Sequence, residues 1–350
     1  MPTLPLTPGA VTLLDIAKAM DPNGNIAATA ELLSQTNEVL RTMPWIEGNL
    51  PTGHRTNIRT GLPPVIWRMM YQGVPASKSE RAIVEDGCGV LEARAEIDKD
   101  IADFNGNTAA FRTNENRAFL ESMNQAMTTA LFYGNAQVNP EQFNGLAIRY
   151  NTRNASSPVS QNVIHGGGSG SDNTSIWLIV WGPNTVFGVY PKGSKAGLTH
   201  EDLGEGDAFD ASQRRFRAYM DRWQWKCGLV VADWRYAVRI ANIDVSDLTA
   251  LTGTQALTAA TSVIKLMVDA HARIPNPGMG TAVFYCNRTV KAALAKLAMD
   301  RSQNAVNIQA ATEQFGSVGV AFAGQPTLTV LGTPVHTVDA ILNTEAVVPA

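Results

Sequence analysis

Residues 113–146, TNENRAFLESMNQAMTTALFYGNAQVNPEQFNGL, decide how the chain is organised. In the first half of this stretch apolar side chains recur at steps of three and four residues, which is the spacing of one buried helical face. They are Phe119, Leu120, Met123, Ala126, Met127, Ala130, Leu131 and Tyr133. Thr113 or Asn114 can cap the first turn, and Gly134 can adopt the left-handed conformation that ends a helix. The pattern predicts one long helix that starts near Thr113 and ends before Gly134.

The helix leads into a Phe-Tyr-Gly-Asn turn and then a Phe-Asn-Gly-Leu corner. Four further segments follow in order: TSIWLIVWG (174–182), FGVYPKGSKAGL (187–198), WQWKCGLVVADWRYAVRIANID (223–244) and LGTPVHTVDAI (331–341). With this combination the chain resembles the major capsid proteins of tailed phages, which have the Hong Kong 97-type fold. Within that group it is most similar to those of short-tailed phages of the Bordetella and epsilon groups.

The resemblance implies an α+β fold with a defined order of parts. These are an N-terminal arm (1–46), an extended E-loop (47–103), a spine helix with the P-domain sheet (104–246), an A-domain (247–332) and a C-terminal strand that returns to the core (333–350). In the prototype the A-domain directly follows the spine helix. Here the sheet-forming segment 174–244 comes first, so we expect a reordered topology.

The function implied by the resemblance is assembly. Copies would form the hexamers and pentamers of an icosahedral shell around double-stranded phage DNA, built in the host cytoplasm and retained in the virion. Scaffolding, portal and cement proteins are the expected further partners, and contact with the packaged DNA is expected to be non-specific. Two alternatives stay open: an α/β enzyme whose site residues are not recognised, and another phage structural component such as a cement or tail protein.

Residues 1–46 indicate an arm followed by short helices. The first ten residues are rich in Pro and Thr, which favours an extended segment. A short helix is predicted at 12–20. Asn25 can cap a second helix with Ile26, Ala30, Leu33 and Leu40 on one face, and Pro44 stops it at Met43.

Between Glu47 and Ile101 the pattern changes to strands and turns. VIWRMMYQGV (65–74) is predicted as one strand and ERAIVEDGCGVLEARAEID (80–98) as its return, with a tip at 73–78. A lone hairpin buries too little apolar surface to be stable in water, so it should lie on another surface. The resemblance identifies it as the E-loop, which overlaps an adjacent subunit. Lys78 lies at this tip, where the prototype is covalently cross-linked, but cross-linking is the less favoured alternative for this chain.

After the spine helix a polar connection (152–174) precedes strongly apolar strands at 176–182 and 185–190. Polar residues 199–214 should interrupt the sheet, which resumes with three segments up to 244 and is expected to pack on the spine helix as the P-domain. A helix at 256–273, a strand at 281–287, a second helix capped by Asn287 and strands at 327–332 and 334–341 then form an α+β block. The predicted buried positions of the two helices are Leu257, Val263, Ile264, Met267, Val268, Val290, Leu294 and Leu297.

Composition excludes several classes of protein. The 350 residues are 45% hydrophobic, enough for a sizeable core, and 28 Lys and Arg against 31 Asp and Glu give a net charge of −3. No apolar run approaches the roughly 20 residues of a membrane helix, and the N-terminus lacks the pattern of a signal peptide, so we expect a soluble protein that starts in a cytosol and has no membrane partner. Cys88, Cys227 and Cys286 are far apart, which favours reduced, buried thiols.

No motif predicts a catalytic, cofactor-binding or metal-binding residue. The histidines at 54, 165, 200, 271 and 336 include no pair at helical zinc spacing. The glycine-rich stretches 166–172 and 191–197 lack a P-loop ending, so they are expected to be turns. The acidic residues within 92–103 alternate with apolar ones, as on a solvated strand face. For Trp223, Trp225, Trp234 and Tyr236, packing is favoured over base stacking. The chain is therefore not expected to be an enzyme.

The acidic net charge generates a first prediction about nucleic acid. Base readout requires positioned Arg, Lys, Asn or Gln side chains backed by several phosphate contacts, and here the basic residues are dispersed among an excess of acids. Unassembled subunits should therefore bind duplex DNA weakly and without sequence preference, and moderate salt should abolish the binding. Fluorescence anisotropy with two unrelated duplexes over a salt series measures this. A salt-resistant complex with one preferred sequence would contradict it.

Overall fold

The computed structural model describes residues 35–103, 107–154, 156–210, 212–249, 253–299, 306–309 and 327–350. The predicted arm, the helix at 12–20 and the cap at Asn25 lie outside these residues. The helices are α1 (Val39–Thr42), α2 (Lys99–Asp103), α3 (Thr108–Tyr133), α4 (Leu146–Arg149), α5 (Val245–Thr249), α6 (Gly253–Arg273) and α7 (Arg288–Met299). Short 3₁₀ helices span Pro158–Asn162, Trp234–Tyr236 and Pro277–Met279. As expected, α1 ends just before Met43 and Pro44. Residues 35–38 are not helical, however, so one continuous helix from Asn25 to Met43 is wrong.

The strands of the described residues number thirteen, which with the helices confirms an α+β fold. They are β1 (Trp45–Glu47), β2 (Gly53–Gly61), β3 (Glu80–Asp98), β4 (Val163–His165), β5 (Asn173–Trp181), β6 (Val186–Tyr190), β7 (Leu198–Phe209), β8 (Arg215–Val231), β9 (Ala237–Asp244), β10 (Thr281–Cys286), β11 (Val306–Gln309), β12 (Thr327–Val330) and β13 (Thr333–Thr337). The chain divides into two compact units. Unit 1 holds Gln35 and the described residues within 90–127 and 197–226, and unit 2 holds the remainder.

Strand β5 lies at the centre of unit 2. It pairs antiparallel with β10 on one edge and with β9 on the other, and β10 in turn pairs parallel with β13. All nine of its residues are buried. A strand that is buried on both faces requires apolar side chains at successive positions, which explains the continuous run IWLIVW.

The two faces of β5 meet different neighbours. Ile176, Leu178 and Val180 belong to the cluster that packs against α6 and α7, and Met267 and Leu294 are fully buried in it. On the opposite face the Trp177 ring lies 6.1 Å from Phe132 at the end of α3 and 5.9 Å from Tyr150. Most of the predicted helix positions are thus confirmed, although Val268 is exposed and the side chains of Leu257 and Leu297 are outside the description.

The pairing of β5 connects the sheet-forming segment 174–244 with the block after residue 247. Thr281–Tyr285 of β10 pair residue by residue with Trp177–Trp181 of β5, so the two segments share one sheet. Helix α7 starts as predicted, because the Asn287 side chain accepts a hydrogen bond from the Val290 amide at 2.9 Å. The sequence patterns identified β5, β10 and α7 but carried no information about pairing partners distant in the chain.

The long helix begins five residues earlier than predicted, at Thr108. Thr113 does not cap it, because its hydroxyl donates to the Ala109 carbonyl of the preceding turn at 2.8 Å. The predicted stripe is also corrected. Met123, Met127 and Leu131 are buried, whereas Ala126 is exposed and Phe119 is only half-buried.

Gly134 ends the helix, but not for the predicted reason. The φ angle of Gly134 is not positive, so the prediction that this residue adopts the left-handed conformation is wrong. The constraint is close packing: a Cβ atom would lie 2.4 Å from the Ala130 carbonyl oxygen and 2.5 Å from that of Phe143. Gly145 of the Phe-Asn-Gly-Leu corner donates its amide to the Gly134 carbonyl at 2.9 Å. The turn and the corner quoted from the sequence therefore meet through their backbones at Gly134 and Gly145.

In unit 1 the strands β7 and β8 form a long antiparallel pair, from Leu198 opposite Trp225 to Phe209 opposite Arg215. The expectation that residues 199–214 interrupt the sheet was wrong. Most of β7 is exposed, so it carries none of the apolar alternation by which a half-buried strand is recognised.

A buried polar network ties the C-terminal segment to the core of unit 2. The Arg239 guanidinium is buried, lies 2.9 Å from the Glu345 carboxylate and donates to the Ser175 hydroxyl at 3.1 Å and the Tyr150 carbonyl at 2.9 Å. The same carboxylate accepts from Tyr133 and Ser175. Burial, reinforced by the charge of Glu345, raises the pKa of Tyr133. The network holds one charge pair with its hydrogen bonds satisfied inside an apolar core.

From the packing at Gly134 we predict that Gly134→Ala destabilises the fold by about 2 kcal/mol, because the new methyl group must displace backbone carbonyls. The control is Gly73→Ala, whose methyl would meet no atom within 4 Å. It should change the free energy of unfolding by less than about 0.5 kcal/mol. Chemical denaturation of unassembled subunits measures both, and equal effects would contradict the packing argument.

From the buried network we predict that Arg239→Met lowers the free energy of unfolding by about 3–5 kcal/mol, since Glu345 would be left buried and unpaired. The matched control is Arg235→Met, which removes an exposed ion pair with Asp233 and should cost less than about 1 kcal/mol. The same denaturation experiment compares the two. If both variants lower the free energy of unfolding by a similar amount, the buried network does not contribute more than an exposed ion pair.

Candidate assembly surfaces

Among the residues that the structure describes, exposed large apolar side chains are most concentrated in the connection between β2 and β3. We name residues 53–89 the hairpin and residues 62–79 its tip. Within the tip eight large apolar side chains are exposed, with Trp67 and Tyr71 essentially as accessible as in an unfolded chain. They are Leu62, Val65, Ile66, Trp67, Met69, Met70, Tyr71 and Val74. Monomeric soluble proteins rarely leave so contiguous a set uncovered.

The predicted strand at 65–74 is wrong, because no regular structure is present between Gly61 and Glu80. The apolar run carries strand-forming residues but finds no strand to pair with. A local turn is present instead: the Gln72 amide donates to the Met69 carbonyl at 3.2 Å, and the Gln72 side chain accepts from the Met69 amide at 3.1 Å. Tyr71 has a φ of 67° within this turn. The predicted return strand at 80–98 is confirmed.

Below the tip the hairpin is regular. Gly53 to Arg59 of β2 pair in register with Gly87 to Arg81 of β3. On one face Arg55 and Glu85 lie opposite each other and form an exposed ion pair. The hairpin thus projects two ladder-paired strands that end in an apolar tip.

The exposed surface of unit 1 is polar and internally paired. Arg222 bridges Glu92 at 2.8 Å and Glu201 at 3.5 Å, and Lys99 pairs with Glu205 at 2.7 Å. Hydrogen bonds from Arg222 lower the pKa of Glu92 to about 2. This confirms a solvated, ion-paired face for the acidic residues of β3, and it leaves little unpaired positive charge on β8.

Asp221 is the buried centre of this unit's polar contacts. It accepts from Arg112 at 2.9 Å and Asn116 at 3.1 Å, both on α3, and pairs with His200 of β7 at 2.8 Å. Burial alone would raise the pKa of Asp221, but the hydrogen bonds from Asn116, His200 and Arg112 outweigh it and hold the pKa below its usual value. The His200 ring also stacks on Trp223 with centroids 4.0 Å apart.

The residues weighed for chemistry lie apart. His54 meets Phe187, His165 meets Asn242, His200 meets Asp221 and His336 meets Glu38, while His271 is on α6. Among the residues that the structure describes, no group of three or more His, Cys, Asp or Glu side chains is placed to hold a metal ion. Burial raises the pKa of Cys88 to about 11 and of Cys227 and Cys286 to about 12, and all three are free thiols.

The glycine-rich stretches are turns. Gly167 has a φ of 104°, and the stretch leads into β5 rather than a helix. With Asp244, Asp247 and Ser262 it lines a cavity of about 270 Å³. The second stretch turns at Gly193, where φ is 79°. Trp223 and Trp225 are half-buried on β8, whereas Trp234 and Tyr236 belong to a 3₁₀ helix. Lys78 is exposed in the tip.

No helix in the described part of the chain has the length and apolar character to cross a membrane. No curated protein matches the chain. A protein in the near-atomic structure of bacteriophage Epsilon15 is 33% identical, with 100% of both chains covered and a TM-score of 0.74. The capsid of bacteriophage JBD30 is 9% identical over 89% of this chain and 93% of that chain, with a TM-score of 0.48. A chain of the holo-SrpI encapsulin complex from Synechococcus elongatus PCC 7942 is 14% identical over 67% and 97% of the two chains, with a TM-score of 0.44.

A family model described as major capsid protein GP7 matches residues 21–349. Together with the full-length likeness to the Epsilon15 protein, this match confirms the resemblance and the Hong Kong 97-type fold expected from the sequence. The chain therefore belongs to the GP7 family of major capsid proteins and is a structural component of an icosahedral phage shell, located in the virion.

Proposed function

We propose that copies of this chain form the hexamers and pentamers of a shell around double-stranded DNA, and that the hairpin is the E-loop by which neighbouring copies overlap. The observation that carries the proposal is the exposed apolar tip at residues 62–79. Hydrophobic association is non-directional and scales with the area removed from water. A surface of this kind is therefore suited to contacts that repeat between many identical copies.

The energetic argument rests on the aromatic side chains. Burying one large apolar side chain contributes about 1.5–3 kcal/mol, and Trp67 and Tyr71 are both fully exposed. The turn formed by Met69 and Gln72 already orders part of the tip, which reduces the entropy lost on docking. Each copy both donates a tip and receives one, so even a modest contact is multiplied over the closed shell.

The polar surface of unit 1 supports a structural role without specific DNA recognition. Its Arg and Lys side chains pair with carboxylates of the same unit, as in Arg217 with Asp207 at 3.1 Å. Contacts with packaged DNA would then be sparse and independent of sequence. We infer that the chain has no catalytic activity and that scaffolding, portal and cement proteins meet it during assembly. Support for both inferences comes from its membership of a capsid family.

The proposal predicts that Trp67→Ser combined with Tyr71→Ser lowers the yield of closed particles at least tenfold. The variant removes two exposed anchors and leaves every buried residue in place. The matched control is Val138→Ser, an exposed apolar residue outside the hairpin. Sucrose gradients and negative-stain electron microscopy of the expressed chain measure the yield, and circular dichroism of the subunits checks the fold.

Normal particles from the double variant would contradict the role of the tip. Equal losses in the double variant and the Val138→Ser control would do so too, because the effect would then not be specific to the hairpin. A wild-type chain that stays monomeric at all concentrations would contradict shell formation itself.

A further inference from the structure

Asp86 is the only charged residue of the hairpin that is buried. It lies on β3 opposite His54 of β2, at the base, where the hairpin joins the core of unit 2. Its neighbour Glu85, which precedes it by one position on β3, is half exposed. The hairpin therefore carries two adjacent carboxylates in opposite environments.

The Asp86 carboxylate is held by Arg149 at the end of α4, with Nη1 2.8 Å from Oδ1. The second terminal nitrogen of the guanidinium, Nη2, donates to the carbonyls of Asn144 and Leu229, both at 3.2 Å. One side chain thus joins the hairpin base, the corner after the spine helix and strand β8. Because the guanidinium is planar and its donors have fixed directions, such contacts define an orientation as well as a distance.

Around this ion pair the backbones meet without intervening side chains. A Cβ atom on Gly228 of β8 would lie 2.7 Å from the Gly87 carbonyl oxygen and 3.2 Å from the Cys88 Cα. A Cβ atom on Gly53 would lie 2.1 Å from the Asp86 carbonyl oxygen. This crossing allows close approach. The base is also held by apolar contacts, since the His54 ring lies 5.4 Å from the Phe187 ring and Cys88 packs against the cluster of Phe187, Val189 and Val230. These apolar contacts are non-directional, whereas the Arg149 guanidinium fixes an orientation.

Small rotations at the base have large effects at the tip. The nine residues of β2 span about 30 Å, so a tilt of about 10° would move the far end by about 5 Å. The side chains of the tip are exposed, and none of the residues that the structure describes covers them. The direction of the hairpin is therefore set at its base.

We propose that Asp86 and Arg149 lock the angle at which the hairpin leaves the core, and that this lock positions the tip for a neighbouring copy. Both are positioning residues, since neither belongs to the exposed tip. The consequence for assembly rests on the proposed role of the hairpin as the E-loop, whereas the lock itself is a property of the single subunit. The two can therefore be tested separately.

The test uses spin labels on unassembled full-length subunits. Thr60→Cys at the far end of β2 and Val138→Cys in unit 2 place labels on exposed positions, while the native thiols, buried or half-buried and with raised pKa values, react slowly. In this background Asp86→Asn should at least double the width of the distance distribution measured by double electron–electron resonance. The matched control Glu85→Gln makes the same chemical change one residue away and should leave the width unchanged.

A second variant, Arg149→Lys, keeps the positive charge but loses the planar fork, and it should broaden the distribution in the same direction. It carries the test if Asp86→Asn does not fold. Electron microscopy of assembled material should show particles of mixed size for both variants and uniform particles for Glu85→Gln.

An unchanged width in Asp86→Asn and Arg149→Lys, or equal broadening in Glu85→Gln, would overturn the lock. Broadened distances with uniform, normal particles would overturn its consequence for assembly. Failure of the wild-type chain to form particles would count against the proposed function alone, because the label distances come from free subunits.

Discussion

The burial of β5 on both faces is the constraint on which the structure depends. A strand without a solvated face must satisfy its backbone at both edges, and β9 and β10 do so. Arg239 of β9 lies opposite Trp177 and is itself buried. A buried guanidinium needs a counter-charge, and Glu345 supplies it. The return of the C-terminal segment to the core therefore follows from the position of one arginine.

The filled core of unit 2 also bears on why the apolar tip of the hairpin stays exposed. The core of unit 2 is closed by α6, α7 and the end of α3 around β5, and the apolar side chains of the tip stay exposed among the residues that the structure describes. A hairpin of two strands is at best marginal alone. Anchoring at Asp86 holds its base, and its apolar tip is left for contacts that a single copy does not make.

Sequence patterns predicted the elements whose signal is local. The spine helix, the return strand of the hairpin and the Asn287 cap were all identified, because periodicity and capping chemistry act within a few residues. The start of the helix was missed since Thr113 bonds back to Ala109. Gly134 was recognised as essential for the wrong reason: its neighbours at Ala130 and Phe143, not its φ, exclude a side chain. Pairing of β5 with β10 and the Asp86–Arg149 contact join distant segments, which no local pattern encodes.

The distribution of charge and apolar surface separates two tasks. In unit 1 the charged side chains mostly satisfy one another, with Asp221 holding Arg112 and His200 together and Arg222 spanning two glutamates. The more exposed pairs, those of Arg222, contribute little stability each, but together the pairs leave a surface without a strong field of one sign. Repulsion between like-charged copies is then small, and the apolar tip can act at short range. In the proposed shell the apolar tip stabilises the contact between neighbouring copies, and the buried ion pair at the hairpin base sets the direction of the hairpin.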